Sequence, residues 1–305
     1  FETVWLKDVT TLFQTDKRTL SDLDLPNDLT FHLTRGSDVL TLDLKRNHDI
    51  NPDADVYFAR TLKNGQSFLV KSRNYEKELP ISTHFFKYNV AYYQDMGNWA
   101  YMTVKCVKQS NEKCERIING NLRIGDRSYD LEPVETEITS RHFVEDLGDL
   151  GKQYVLKNQP HMLRGYSVRN KDKSREYKSP YFVKVVVFID SSAWNFYLST
   201  VPQYKLLTRS RNAKLKIKQI FSHMFNGANL LYKGIADPDL SVNIILSKFV
   251  IFKKHAEFPH NVSIVAHFNN TDYIDVSEYL LDIEQWDLKV GVKYEPAHDH
   301  GMFIS

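Results

Sequence analysis

Hydrophobic and polar residues alternate with a period of two along much of the first half of the chain. Leu40, Leu42 and Leu44 have polar neighbours between them, which is typical of a strand with one buried face. Gly125-Asp126 predicts a turn. Further strands are predicted from apolar and aromatic segments at 56–62, 67–71, 88–93, 99–107 and 116–124. This half is therefore predicted to form a β-sandwich or a barrel-like β-domain.

A β-hairpin is predicted inside this pattern. Asn64-Gly65 separates the segments 56–62 and 67–71, and Asn-Gly accommodates the positive φ angles of a tight primed turn. We assign this hairpin to the same β-domain as the strands around it.

The period changes after residue 180. Residues 183–189 are nearly all apolar, as expected of a strand that is buried on both faces of a covered sheet. The segment 242–252 has the same character and predicts a second buried strand. Helical patterns follow each strand, so the order predicts an α/β layer with right-handed crossovers.

Two helices are predicted in this second half. Apolar residues recur at helical spacing from Ile217 to Leu231 and predict a long amphipathic helix that ends near Gly234. Asp275 and Glu278 have the spacing of a capping box and would open a second helix. The apolar face of that helix would consist of Val276, Tyr279, Leu280, Ile283 and Trp286.

A polar segment separates the two patterns. Its later part is basic, with Arg164, Arg169, Lys171, Lys173, Arg175 and Lys178. Such a composition predicts a linker. The chain is thus predicted to be α+β overall, with a β-rich domain at 1–140, a basic linker at 141–180 and an α/β domain at 181–305.

Composition and charge restrict the function. The chain has 40 basic and 38 acidic residues, a formal net charge of +2, so no global field favours nucleic acid or another polyanion. No apolar run approaches the ~20 residues that span a bilayer, and no membrane span is expected. The chain begins at Phe1 without an initiator Met, which leads us to expect a signal segment that was removed or is missing from the sequence.

The cysteines and two sequons favour an extracellular location. Cys106 and Cys114 are the only two cysteines, and the polar stretch 108–113 between them reads as a hairpin tip that would allow a disulfide. The alternative is two free, half-buried thiols. Asn261 and Asn269 each begin an Asn-x-Ser/Thr sequon for glycosylation. A secreted, disulfide-containing glycoprotein is expected.

Five segments resemble one protein family, in the same order and with similar spacing. They are the tyrosine-rich 92–94, 120–133 with its Leu-Glu-Pro ending, the strand 182–190, 225–232 with Asn-x-x-Asn-x-x-Tyr spacing, and the His-Asp segment 298–305. Together they resemble the propeptide and the N-terminal part of the metalloproteinase domain of adamalysins (reprolysins), the zinc metalloproteinases of the snake-venom and disintegrin-containing types.

The resemblance implies a secreted zinc metalloendopeptidase proenzyme whose catalytic half is not in this sequence. None of the 11 histidines is followed by Glu, so the His-Glu-x-x-His helix that supplies two zinc ligands and the general base is missing. No catalytic, cofactor-binding or metal-binding residue is assigned, and zinc is expected only with a C-terminal half. We expect a second chain or a missing C-terminal segment to complete the mixed, mostly parallel sheet, and other extracellular proteins to be further partners.

Two departures from the family concern activation. Many relatives inhibit their zinc with a propeptide cysteine, but no Cys lies between residues 115 and 305. The linker offers only 169–175 in place of the Arg-rich site that furin-type proteases need. The propeptide is therefore expected to stay attached.

A third departure concerns calcium. Several relatives bind it with a Glu on the first strand and the Asp of the His-Asp segment, where this chain has Lys184 and Asp299. An ammonium group cannot bind a cation but can form an ion pair with the carboxylate. Lys184 and Asp299 are predicted to replace the calcium site by such a pair; the alternative is that Lys184 extends into solvent.

Other candidate residues leave more than one function open. His298 and His300 would share a strand face, as two metal ligands or as ordinary histidines at a cleft edge. A basic stretch without acids could bind heparin or be a solvated helix; its cations are Lys205, Arg209, Arg211, Lys214, Lys216 and Lys218. Three functions remain: the front part of a proenzyme, a non-catalytic extracellular structural or binding protein derived from it, and a polyanion-binding module.

Overall fold

The structure is a computed structural model that describes residues 2–10, 25–64, 66–72, 89–108, 114–133, 152–159, 181–201, 206–235, 241–254, 264–268, 271–274, 281–282, 284–291 and 298–304. Its strands are β1 (Glu2–Asp8), β2 (Asp28–Arg35), β3 (Asp38–Arg46), β4 (Ile50–Thr61), β5 (Ser67–Lys71), β6 (Asn89–Asp95), β7 (Ala100–Lys108), β8 (Cys114–Ile124), β9 (Arg127–Pro133), β10 (Lys152–Gln159), β11 (Tyr181–Ile189), β12 (Val242–Ile251), β13 (Ile264–Phe268), β14 (Thr271–Ile274) and β15 (His300–Ile304). Its helices are α1 (Ser191–Ser199), α2 (Leu206–Lys233) and a π-helix, Asp287–Gly291.

The chain divides into two compact units, neither of which is continuous in sequence. Unit 1 comprises Phe1–Pro52, Pro80–Tyr181 and Ser222–Asn243, and unit 2 comprises Asp53–Leu79, Phe182–Phe221 and Ile244–Ser305. The described residues form a mixed, strand-rich α and β structure with antiparallel and mixed sheets.

Unit 1 contains a closed barrel of eight strands in the order β1-β10-β9-β8-β7-β6-β3-β2. Alternate residues of each strand point inward because side chains change face at every residue. The predicted alternation is confirmed in β3, where Leu42 and Leu44 are at most 1% exposed. Their neighbours in the core include Val4, Leu29, Phe31, Leu33, Tyr93, Met102, Val104, Ile118, Leu131 and Leu156.

The two tight connections of the barrel need glycine. Gly36 joins β2 to β3 with φ +58°, and Gly125 joins β8 to β9 with φ +59°. These backbone angles place a side chain close to the following carbonyl, so glycine adopts them at the least cost. The turn predicted at Gly125-Asp126 is confirmed.

Strand β10 lies within 141–180, the segment predicted to be a linker. It pairs antiparallel with both β1 and β9, so it closes the barrel. Leu156 is 1% exposed and belongs to the core, whereas Lys157 forms an ion pair with Glu132. The predicted linker therefore contains a strand that closes the barrel, whereas its basic residues at 164–178 lie outside the described residues.

Unit 2 is built on a five-stranded sheet in the order β15-β11-β12-β4-β5. β11 and β15 are parallel and β4 and β5 are antiparallel, so the sheet is mixed. The prediction that β11 is buried on both faces is confirmed, since residues 185–189 are at most 4% exposed.

The predicted β-hairpin is the β4–β5 pair. Leu62 N–H donates to the Gln66 carbonyl at 2.9 Å, and Gln66 N–H donates to Asn64 Oδ1 at 3.0 Å. The hairpin belongs to unit 2 and not to the barrel with which its neighbours in sequence were grouped, because Tyr57 and Leu69 pack in the core of the mixed sheet. Alternation identifies a strand but does not identify the sheet that the strand joins.

Helix α2 confirms the long amphipathic helix and its end near Gly234. The Gly234 N–H donates to the Leu230 carbonyl at 2.9 Å, which closes the last turn. Helix α1 begins at the N-cap Asp190, whose Oδ1 accepts the Ala193 N–H at 2.8 Å. The predicted capping box lies outside the described residues. Trp286, on the predicted apolar face, is buried at 6% exposure, next to the π-helix.

Candidate functional site

In unit 1 the last turns of α2 are anchored to the barrel strands by one asparagine. Asn226 is fully buried, its Oδ1 accepts from Asn47 Nδ2 at 2.9 Å, and its Nδ2 donates to the carbonyls of Tyr93 and Met102 at 2.9 and 3.3 Å. Its own carbonyl accepts from Gln94 Nε2 at 2.7 Å. Each side-chain polar atom is thus bonded, as a buried amide requires.

One helical turn further on, a second asparagine and a lysine extend this anchor. Asn229 Nδ2 donates to Asp49 Oδ2 at 3.1 Å, and Lys233 Nζ lies 3.1 Å from the same oxygen. Asn226 and Asn229 are the asparagines of the Asn-x-x-Asn-x-x-Tyr spacing, and Tyr232 is 44% exposed. The spacing of three places the asparagines on one face of the helix, toward the barrel.

A hydrogen-bonded chain runs from the barrel through His223 and back. Thr103 Oγ1 lies 2.8 Å from His223 Nδ1, and His223 Nε2 lies 3.2 Å from Asn121 Oδ1. Asn121 Nδ2 donates to Asp130. Because the Asn121 oxygen must accept, His223 carries its proton on Nε2, and its Nδ1 accepts from the Thr103 hydroxyl. Burial lowers the pKa of His223 to about 4, so the ring is neutral at pH 7.

Beside these hydrogen-bonded side chains lies a cavity of about 500 Å³ that is partly open to solvent. Its helix wall includes Met224, Ala228 and Leu231, and its barrel wall includes Trp99, Tyr101, Asp130 and Glu132. Tyr101 and Thr103 alternate along β7 with the core residues Met102 and Val104, so both point to the outer face of the strand.

A glycine permits the close packing of helix and barrel here. A Cβ on Gly227 would lie 2.8 Å from the Tyr101 ring, a separation that any larger residue would have to relieve by moving the helix away. The Tyr101 ring also lies 5.0 Å from the His223 ring, between centroids. Burial raises the pKa of Tyr101 to about 12, so its phenol stays neutral.

This geometry supports binding better than catalysis. A hydroxyl bonded to a neutral imidazole resembles a nucleophile with its base. However, Thr103 is 3% exposed and does not line the cavity, so a substrate in the cavity would not reach its oxygen. The hydrogen bonds that link Thr103, His223, Asn121 and Asp130 therefore fix the helix against the barrel. The cavity beside these side chains is the part that can accept a ligand.

In unit 2 the structure brings together Lys184 and Asp299, the two residues that are predicted to replace a calcium site. The Lys184 N–H donates to Asp299 Oδ2 at 2.9 Å, and the Asp299 N–H donates to the Lys184 carbonyl at 2.8 Å. Both residues are exposed. The Asp299 carboxylate is thus held by the main chain of β11, and the ion pair with the Lys184 ammonium stays a prediction.

The two histidines of the same segment have different environments. His298 is 5% exposed at its side chain, and its Nε2 bonds to Asp287 Oδ2; its ring packs edge-on against Phe188. His300 is exposed at the start of β15. Within the described ranges, no three His, Cys, Asp or Glu side chains form a group that could hold a metal ion. The sequence does not predict Asp287 as the partner of His298, because the two residues are 11 positions apart and no sequence pattern links them.

The cysteine prediction falls partly outside the described residues. β7 and β8 pair with Cys106 opposite Arg116 and Cys114 opposite Lys108, so the cysteines occupy diagonal positions of one hairpin. Cys106 is 1% exposed and is not free. The side chain of Cys114 and both sequon residues, Asn261 and Asn269, lie outside the described residues, and the disulfide and the glycosylation stay predictions.

The basic stretch is partly engaged within unit 2. Arg209 Nε donates to the Leu198 carbonyl at 2.9 Å, and Lys214 Nζ donates to Ser72 Oγ at 2.7 Å. Lys214 also lies over the Phe58 ring, 5.7 Å from its centroid. Lys216 is exposed, and Lys205 lies outside the described residues. The structure therefore gives these cations roles in packing as well as in surface charge.

Comparison with known proteins adds no relative. A scan against protein-family models finds no match, and neither does a search of curated proteins. Among the helices of the described ranges, none has the length and apolar character needed to cross a membrane. Function therefore rests on the residues and their geometry.

Proposed function

We propose that this chain is the propeptide and the N-terminal part of the metalloproteinase domain of a secreted, reprolysin-like zinc metalloendopeptidase proenzyme, and that this stretch alone is not catalytic. The observation that carries the proposal is the junction of β11 and β15. The family resemblance predicts that the first strand and the His-Asp segment meet, and Lys184 and Asp299 are joined by two hydrogen bonds where these parallel strands begin.

The anchored helix in unit 1 also supports a proenzyme. Tyr93 and Gln94 belong to a propeptide-like segment, and Asn226 belongs to the segment that resembles the first protease helix. Their hydrogen bonds join these two parts of the chain within one unit. A propeptide that forms hydrogen bonds with a helix of its protease can keep that protease inactive without a cysteine bound to the zinc.

The described residues do not fit a zinc site. A catalytic zinc needs three protein ligands with an open position for water, and within the described ranges no three His, Cys, Asp or Glu side chains form such a group. Because the sequence contains no His-Glu-x-x-His motif, we assign the chemistry of hydrolysis to a segment outside this sequence and no catalytic step to a residue of this chain.

The reading frame of the transcript tests the proposal directly. We expect the codons after Ser305 to encode a helix with His-Glu-x-x-His, and we expect the longer protein to cleave denatured casein in a chelator-sensitive way. The Glu→Ala variant of that motif is the control. A reading frame that ends soon after Ser305 without the motif would contradict the proposal. Chelator-sensitive proteolysis by a purified protein whose measured mass is that of residues 1–305 would also contradict it.

The cavity in unit 1 favours a second candidate, a non-catalytic extracellular binding protein derived from the same family. A cavity of about 500 Å³ lies within the range of small-ligand sites, and a protein without a protease active site could retain it. The reading frame separates the candidates, since the second one requires no zinc-binding motif.

A further inference from the structure

The two carboxylates that line the cavity of unit 1 are compensated by their neighbours. Asp130 and Glu132 both belong to the lining. Lys157 of β10 lies directly opposite Asp130 in the strand register and pairs with Glu132, and Asn121 Nδ2 donates to Asp130. An ion that enters the cavity would therefore lose part of its hydration without gaining an unopposed charge of the other sign, which is unfavourable for a cation and an anion alike.

The other titratable residues of the described lining are neutral at pH 7. Burial lowers the pKa of His223 to about 4 and raises the pKa of Tyr101 to about 12. The apolar part of the lining consists of Trp99, Leu131, Met224, Ala228, Leu230 and Leu231. Such a lining suits a molecule that is uncharged and has a large apolar surface.

One polar side chain of the lining is available to a ligand. Asn119 lines the cavity, is half-buried, and lies opposite Thr103 in the pairing of β7 with β8. Asn121, two residues further along the same face of β8, bonds to both His223 and Asp130. No described residue bonds to the Asn119 side chain, so its amide can both donate to a ligand and accept from it.

The aromatic side of the cavity is held in place before any ligand binds. Trp99 is the one described non-glycine residue with a positive φ, +46°, and its turn is fixed by Asp95, whose Oδ1 accepts the Gly97 N–H at 2.8 Å. A Cβ on Gly234 would overlap the Trp99 ring, as a Cβ on Gly227 would approach the Tyr101 ring. Strained residues that the surrounding structure holds in place are typical of ligand sites, and a preformed wall loses little conformational entropy on binding.

We infer that the cavity between α2 and strands β7–β9 binds a small neutral aromatic molecule whose polar group forms hydrogen bonds with the Asn119 amide. The ring system would lie among the apolar residues of α2 and the two aromatic residues of the barrel wall. A volume of about 500 Å³ suits one drug-sized molecule. The inference is independent of the proenzyme proposal, because both walls of the cavity are in unit 1, and the reading frame after Ser305 tests that proposal separately.

Isothermal titration calorimetry with four indoles tests this inference. Indole-3-acetamide carries a neutral amide, 3-ethylindole carries no polar group on its side chain, tryptamine is a cation and indole-3-acetate is an anion. We expect the amide to bind about fivefold more tightly than 3-ethylindole, a factor that corresponds to one net hydrogen bond. It should bind at least about tenfold more tightly than either ion, and it should raise the melting temperature of the full chain.

Matched variants locate the binding. Asn119→Ala removes the amide without breaking a bond to a described residue, and we expect it to lower the affinity for indole-3-acetamide to that for 3-ethylindole while leaving the latter unchanged. Ala228→Phe should weaken both probes at least about tenfold by filling the cavity. Asn212→Ala is the control, since Asn212 lies in unit 2, and it should leave both affinities unchanged.

Three results would overturn the inference. They are no binding of indole-3-acetamide to the folded wild-type chain, binding of either ion as tight as that of the amide, and an undiminished preference for the amide in Asn119→Ala. Circular dichroism and thermal melting establish that each variant is folded. If Ala228→Phe fails to fold, the comparison of the amide with 3-ethylindole in Asn119→Ala still decides whether the ligand reaches this cavity.

Discussion

Asn226 in unit 1 and Asp287 in unit 2 are both polar residues in the interior of the fold, but their surroundings differ. The neutral Asn226 amide has a partner for each side-chain atom. Asp287 bonds to His298 through Oδ2, whereas its Oδ1 and the Trp286 Nε1 bond to no described residue. A saturated neutral amide specifies one position for a helix, while a carboxylate with a single described partner depends strongly on that partner.

Removal of the Asn226 side chain should have the largest effect. Asn226→Ala leaves Asn47 Nδ2 and two carbonyls buried without their partner, and each buried orphan costs roughly 1–3 kcal/mol, so we expect a loss of about 4 kcal/mol. Urea unfolding measures it. Asn212→Ala is the matched control, because among the described residues the Asn212 side chain bonds to Thr208 of its own helix, at 3.4 Å. A loss below about 1 kcal/mol would show that the amide does not anchor the helix.

His298→Ala is the corresponding change in unit 2. It removes the one described partner of Asp287, whose side chain is 17% exposed, and an unpaired interior charge costs about 3 kcal/mol. Adding Asp287→Asn to this variant should recover part of the loss, because the charge is then gone. His300→Ala should stay within about 0.5 kcal/mol of wild type, and an equal effect of the two histidine substitutions would contradict the pairing.

The sequence predicted the local elements well and their long-range partners poorly. The alternation in β3, the apolar run of β11 and the helical spacing of α2 each depend on neighbours within a few residues, and all three elements are confirmed. The contact of Asn226 with Asn47 joins residues 179 positions apart, and no local periodicity encodes such a distance. For the same reason the β4–β5 hairpin was recognised as a hairpin but assigned to the wrong sheet.

The candidate cavity could not be predicted from the sequence. His223 lies between Ser222 and Met224 on a helix, and a lone histidine there carries no signal of its bonds to Thr103 and Asn121. Gly227 allows α2 to approach Tyr101 beside the cavity, and that approach depends on the register of helix and barrel. Strand β10 was likewise not predicted within 141–180, because it pairs with β1 and β9, which are distant in sequence or follow no local pattern with it.

The pH dependence of unit 1 provides a smaller and more specific test. The pKa of His223 is lowered from 6.5 to about 4 in the folded chain, so between these values the unfolded chain binds the proton and the folded chain does not. Stability is therefore complete above pH 6.5 and falls as the pH drops toward 4, by about 1.4 kcal/mol per pH unit. His223→Gln keeps hydrogen bonds but removes the titration, and the difference between the two stability curves should show this slope. Parallel curves would contradict a buried, neutral His223.

The smallest effect is expected at Lys184 and Asp299, both of which are exposed. If the ammonium of Lys184 pairs with Asp299, Lys184→Met should cost less than about 1 kcal/mol, because exposed ion pairs contribute little. Asp299→Ala should cost more than Lys184→Met, since it also removes the acceptor of the Lys184 N–H. If the family resemblance holds, calcium should leave the melting temperature unchanged, because Lys184 would stand where relatives have a carboxylate ligand. A calcium-dependent rise in melting temperature that disappears in Asp299→Ala would show that the carboxylate still binds the metal, and that Lys184 does not replace it.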